Sequence, residues 1–135
     1  MTAVVAIAAA LALATGIGWL LTRRAGQVRP IDPPSTLDTS DLGLSGDGPT
    51  VVHFSAPWCG PCDRVRRVVN QVCADLGDVA HVEIDMDANP VAARRLSVLS
   101  LPTTFIFDAH GQQRYRTAGV PRTDELRSAL TPLLA

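Results

Sequence analysis

No charge occurs from Ala3 to Leu21, a run of nineteen residues in which Thr15 is the one hydroxyl. As a helix at about 1.5 Å per residue the run reaches roughly 28 Å, close to the thickness of a bilayer's hydrocarbon core. Trp19 falls near one end, where interfacial aromatics sit. The pattern predicts a membrane-spanning helix over residues 1–22. A cleaved signal peptide is the competing reading, and small-residue steps at Ala10, Ala12 and Ala14 offer it a cleavage site. Against it stand the lack of Lys or Arg before the run and an apolar stretch longer than the usual region of about 7–15 residues. Arg23, Arg24 and Arg29 follow the run, whereas only the α-amino group and Thr2 precede it. The excess of Arg places the amino terminus outside and the rest of the chain on the cytoplasmic side.

Residues 23–49 mix Gly26, Pro30, Pro33, Pro34, Gly43, Gly46, Gly48 and Pro49 with polar side chains. That composition predicts a flexible tether with at most one short helix, near Thr36–Leu42. The pattern becomes regular over 50–135. Thr50–Ser55 is β-rich and reads as a strand. Val65, Val68, Val69, Val72, Cys73 and Leu76 recur at the spacing of one buried helix face, with Gly77 as its stop. Val79–Ile84 reads as a second strand. Asn89 and Pro90 open a short helix as cap and first residue, continuing through Ala92, Ala93 and Leu96. Thr103–Phe107 and Gln113–Thr117 predict a hairpin around Asp108–Gly111. Thr123, Asp124 and Glu125 open a last helix whose inner face is Leu126, Ala129, Leu130 and Leu133, with Pro132 fraying or ending it. Strands alternating with helices predict an α/β sandwich.

Composition narrows the function classes. A chain of 135 residues with 47% hydrophobic and 19% charged residues is not a disordered chain. Twelve basic against thirteen acidic residues leave a net charge of −1, with no footprint for nucleic acid. Three cysteines are too few, and odd in number, for a disulfide-stapled scaffold.

The chemistry concentrates at Cys59-Gly60-Pro61-Cys62, between the first strand and the striped helix. Gly60 relieves the tight turn, and Pro61 supplies a fixed φ where no amide donor is needed. The helix N-terminus offers unpaired N–H groups and partial positive charge, which favour thiolate and bring the Cys59 pKa below the free value of about 8.5. A thiolate is the species that attacks a disulfide, and Cys62, one turn on, is placed to resolve the mixed disulfide. A zinc site lacks a second ligand pair. Haem attachment would need His after the second Cys, where Asp63 stands. A structural disulfide remains a competing reading.

Trp58-Cys59-Gly60-Pro61-Cys62, with Leu101-Pro102-Thr103 about forty residues later and Gly119 after the last strand, resembles the thioredoxin family over residues 50–135. The resemblance implies a thioredoxin-like sandwich, a central mixed sheet flanked by helices. It implies dithiol–disulfide exchange with Cys59 as nucleophile and Cys62 as resolver. Pro102 would be cis, with its loop against the cysteine pair and substrate bound along Trp58, Gly60, Pro61, Leu101, Pro102, Thr103 and Gly119. The partners implied are a disulfide-containing protein and an electron donor such as a thioredoxin reductase with NADPH. No resident cofactor or metal is called for. The family's usual first strand is not recognisable in the segment read as a tether.

Departures from the family carry information. His53 stands where thioredoxins carry a buried acid, and His81 where they carry a neighbouring Lys. Either these are two packed neutral imidazoles, or His53 takes the proton from Cys62 during exchange. Asp63 replaces a frequent Lys; it disfavours a nearby thiolate but suits a helix N-terminus, and Arg64, Arg66 and Arg67 offset it. Arg67 replaces a family proline, Ser55 an aromatic. Cys73 reads as a buried, inert thiol, Trp58 as a shield for the Cys59 sulfur, and His110 as an exposed turn residue.

Three functions compete. The leading one is a membrane-tethered protein-disulfide reductase on the cytoplasmic face. The second is an extracytoplasmic protein resembling the anchored thioredoxins of cytochrome maturation. The third is a redox-silent adaptor or metal-handling module, since a fold alone does not establish activity.

Overall fold

The computed structural model describes residues 1–35 and 37–135, with the side chains of 32–35 left aside. Helix α1 (Thr2–Arg24) has no buried residue and is long and apolar enough to cross a membrane, with a mean hydropathy of 2.3. The remaining elements are β1 (Arg29–Ser35), β2 (Thr50–Ser55), α2 (Cys62–Leu76), β3 (Ala80–Asp85), α3 (Pro90–Arg95), β4 (Thr103–Phe107), β5 (Gln113–Ala118) and α4 (Thr123–Leu130). A 3₁₀ turn over Thr131–Leu134 follows, with Pro132 in it. The strands form one mixed sheet in the order β1-β5-β4-β2-β3, in which β2 and β3 are parallel and the other pairs antiparallel.

The period of two along a strand sorts side chains onto opposite faces. Val51 and Ile106 meet Val65, Val69 and Val72 of α2 and Leu126 and Leu130 of α4 on one face. Val52, Phe54, Phe105 and Phe107 meet Ala92, Ala93 and Leu96 on the other. Each fully buried Val or Leu contributes about 1.5–3 kcal/mol, so the stripe on α2 is what holds that helix to the sheet. Parity puts His53 on the same face as Val51, beneath α2, and all six residues of β2 are buried.

Two expectations are corrected. The segment read as a tether over 23–49 contains strand β1, which pairs with β5 (Arg29 with Arg116, Pro30 with Tyr115, Ser35 with Gln113). It also sends Leu42, 2% exposed, into the core beside Phe54 and Phe107. Pro30, Pro33 and Pro34 read as breakers, but an edge strand has one unpaired side and tolerates residues without an N–H. The short helix expected near Thr36–Leu42 begins outside the described residues at Thr36, and residues 40–43 form a turn. The expected caps also differ in detail. The Asn89 side chain donates to the Asp85 carbonyl instead of capping α3, and Arg122, not Thr123, occupies the N-cap of α4.

Candidate active site

Strand β2 ends at Ser55, and the chain turns so that the Cys59 N–H donates to the Ala56 carbonyl at 3.0 Å. Pro61 takes the N-cap of α2, where its missing N–H leaves nothing unsatisfied, and its carbonyl accepts from Arg64 and Val65. Cys62 opens the helix. Cys59 and Cys62 are joined by a disulfide with Cα atoms 5.5 Å apart. Their environments differ: Cys62 is 2% exposed, whereas Cys59 is half-buried and therefore the sulfur a visitor can reach. Trp58 is 66% exposed, and its Nε1–H donates to Asp87 Oδ2 at 3.0 Å, which holds the indole to the loop after β3.

The Leu101–Pro102 bond is cis. Thr103 pairs with Phe54 near the end of β2, so Pro102 lies at the end of the sheet from which the Cys59 turn departs. Gly119 donates its N–H to the Pro102 carbonyl at 2.9 Å, and Thr103 Oγ1 donates to the Ser100 carbonyl. Leu101, Pro102, Thr103 and Gly119 thus gather beside the turn that carries Trp58, Gly60 and Pro61.

Below the disulfide's helix lies a polar chain. Asn70 Oδ1 accepts from His81 Nδ1–H at 2.8 Å, which leaves His81 Nε2 to accept from His53 Nδ1–H at 2.8 Å. In that tautomer the neutral His53 presents a bare Nε2, which has no hydrogen-bond partner and faces Glu83 Oε1 at 3.5 Å. Glu83 is held by Ser55 Oγ (2.9 Å) and by Arg66 Nε (2.8 Å) and Nη2 (2.5 Å), and Arg66 also donates to Asp63 (2.5 Å). Burial first, and the neighbouring His81 second, push the His53 pKa down to about 4; Glu83 opposes them. Burial also lowers His81. The Arg66 hydrogen bonds hold the Glu83 carboxyl down to about 2. His53 is therefore uncharged at neutral pH, beside a carboxylate that would receive a proton-bearing Nε2.

The sequence paired His53 with His81 but did not point to Glu83, Asn70 or Asp87, nor to the bonds of Ser55 and Arg66 with Glu83. Parity along β3 is the signal for Glu83, which points the same way as His81 two residues earlier. Arg66 does offset Asp63, as expected. Cys73 is half-buried rather than buried, and desolvation pushes its thiol up to about 11, far from a reactive thiolate. His110 is exposed in the turn between β4 and β5. Among the described residues no three His, Cys, Asp or Glu side chains converge as a metal site requires.

A disulfide-capable CxxC at a helix start, beside a cis-proline loop on a mixed sheet, defines a dithiol protein of thioredoxin-like fold. Residues 40–132 match the family model for thioredoxin, and the chain belongs to the thioredoxin family. It is 36% identical to thioredoxin 1 of Chlorobaculum tepidum over 93 residues, which takes in 68% of this chain and 89% of that protein. It is 43% identical to the thioredoxin of Mycolicibacterium smegmatis over 67 residues, 47% of this chain and only 60% of that relative's length. Among solved structures, a variant thioredoxin from Halobacterium salinarum superposes with a TM-score of 0.60 at 31% identity, covering 67% of this chain and 79% of that one. The chain is a thioredoxin-family redox protein with a disulfide-capable cysteine pair.

Proposed function

We propose that the protein is a membrane-tethered thiol–disulfide oxidoreductase that reduces protein disulfides with the Cys59/Cys62 pair. The observation that carries this reading is the disulfide joining a reachable Cys59 to a buried Cys62 at the start of α2. In the reduced protein the Cys59 thiolate attacks a substrate sulfur, forming a mixed disulfide and expelling the first substrate thiolate. Cys62 then gives its proton to His53 Nε2 and attacks the Cys59 sulfur. The second substrate thiol leaves, and the Cys59–Cys62 disulfide closes. The substrate gains two electrons and the pair loses two. An electron donor such as a thioredoxin reductase returns them.

Trp58, Gly60, Pro61 and the Leu101–Thr103 loop with Gly119 form the surface on which the substrate chain lies. The positive-inside asymmetry of Arg23, Arg24 and Arg29 puts this surface on the cytoplasmic face, with α1 in the bilayer. The test is reduction of insulin disulfides by the full chain in non-ionic detergent with a chemical reductant. Turnover that disappears in Cys59→Ser is expected. No turnover with both thiols free would overturn the reading in favour of a redox-silent module.

A further inference from the structure

The geometry points to a rigid bracket: we propose that the Gly26–Ala118 junction holds the Cys59 end of the domain at the bilayer surface, so that its substrates are disulfides carried close to the membrane by membrane proteins. This rests on the membrane-anchored exchange reading above. The argument runs across one row of the sheet. Phe54 pairs with Thr103, and Thr103 pairs with Ala118. The Gly26 N–H donates to the Ala118 carbonyl at 2.6 Å. Three steps of about 4.8 Å therefore separate the end of β2, where the Cys59 turn begins, from Gly26, two residues past the end of α1, roughly 15 Å in all.

The direction of the chain agrees. β1 runs antiparallel to β5, so its first residues lie at the end where β5 finishes, beside Pro102. With only Gln27 and Val28 between Gly26 and β1, the anchor enters the domain from its active-site end through the four-residue connection Ala25–Val28.

Packing makes the junction stiff. Gly26 is buried at φ +82, and a Cβ there would come within 2.1 Å of the Val120 carbonyl oxygen. Gly119, at φ +91, has the Gly26 nitrogen 3.1 Å from where its own Cβ would stand. Val28 N–H adds a hydrogen bond to Glu125 at 3.2 Å. The last turn of α1 and the cis-proline loop then face one another across a cleft of about 600 Å³ lined by Leu21, Arg24, Arg29, Leu101, Arg116 and Gly119. A client chain lying along Pro102 and Gly119 is bounded on this side by the membrane helix itself.

The test uses the full chain in phosphatidylcholine vesicles. The probe is a disulfide peptide fixed to a lipid through a polyproline spacer of about three residues (~10 Å) or about fifteen (~45 Å). A soluble disulfide peptide measures the basal chemistry. The short-spacer probe should be reduced at least about tenfold faster than the long. A flexible Gly/Ser insert of about twenty residues after Arg24 frees the domain by roughly 25 Å, and should cut that preference below about twofold with the soluble rate unchanged. Equal rates on the two spacers in the unaltered chain, or a preference for the long one, would overturn the bracket; the insert's folding does not enter that comparison. A preference that persists in an insert variant of normal soluble activity would overturn it too. Loss of all activity on the soluble peptide in the unaltered chain would instead overturn the exchange reading beneath it.

Discussion

Acid should destabilise this domain earlier than its carboxylates alone would dictate. His53 is fully buried, and its pKa falls from an ordinary 6.5 to about 4 in the folded state. The unfolded chain thus binds the proton first as pH drops, and stability present at neutral pH is lost between the two values. At about 1.4 kcal/mol per pH unit the full window is worth ~3 kcal/mol, of which ~2 kcal/mol is gone by pH 4.5. Glu83 acts in a lower window: its pKa drops from 4.5 to about 2, so its contribution is lost only below pH 4.5. Urea unfolding of the full chain in dodecyl maltoside, followed by circular dichroism at pH 7 and pH 4.5, measures the difference. His53→Leu should remove at least half of the loss, with His81 accounting for the rest. An unchanged stability from pH 7 to 4.5, or an identical loss in His53→Leu, would refute the reasoning.

Leu42→Ala should cost about 2–5 kcal/mol by the same unfolding assay, because the side chain fills the core although it lies in the segment that reads as a tether. After reduction, iodoacetamide at pH 7 should modify Cys59 first and leave Cys73 unmodified, as mass spectrometry of the peptides would show; rapid labelling of Cys73 would contradict a thiol pushed up to about 11. Cys62→Ser should accumulate a mixed disulfide between Cys59 and its substrate, visible on non-reducing gels, whereas Cys59→Ser should accumulate none. His53→Ala should slow the resolving step by about 10²-fold or more while the first attack keeps its rate, since a positioned base contributes about 10²–10⁴. Equal single-turnover rates across pH 5–8 would remove His53 from the mechanism.

Some of this protein was determined by residues close together in the chain. The apolar run of α1, the stripe on α2 and the CxxC at that helix's start are short-range patterns, set by helical periodicity and the chemistry of a helix end, so they could be read directly. The resemblance to the thioredoxin family likewise marked His53 and His81 as a neighbouring pair. What only the tertiary structure decided depends on pairings between distant residues. Pro30 sits in a strand because Tyr115 offers it an edge. Glu83, Ser55 and Arg66 become one network because β3 lies beside β2 under α2. The chain leaving α1 meets the end of the sheet that carries the Cys59 turn because Gly26 reaches Ala118. Long-range pairing leaves little local trace, since an edge strand needs neither alternation nor high β-propensity when its partner supplies the hydrogen bonds.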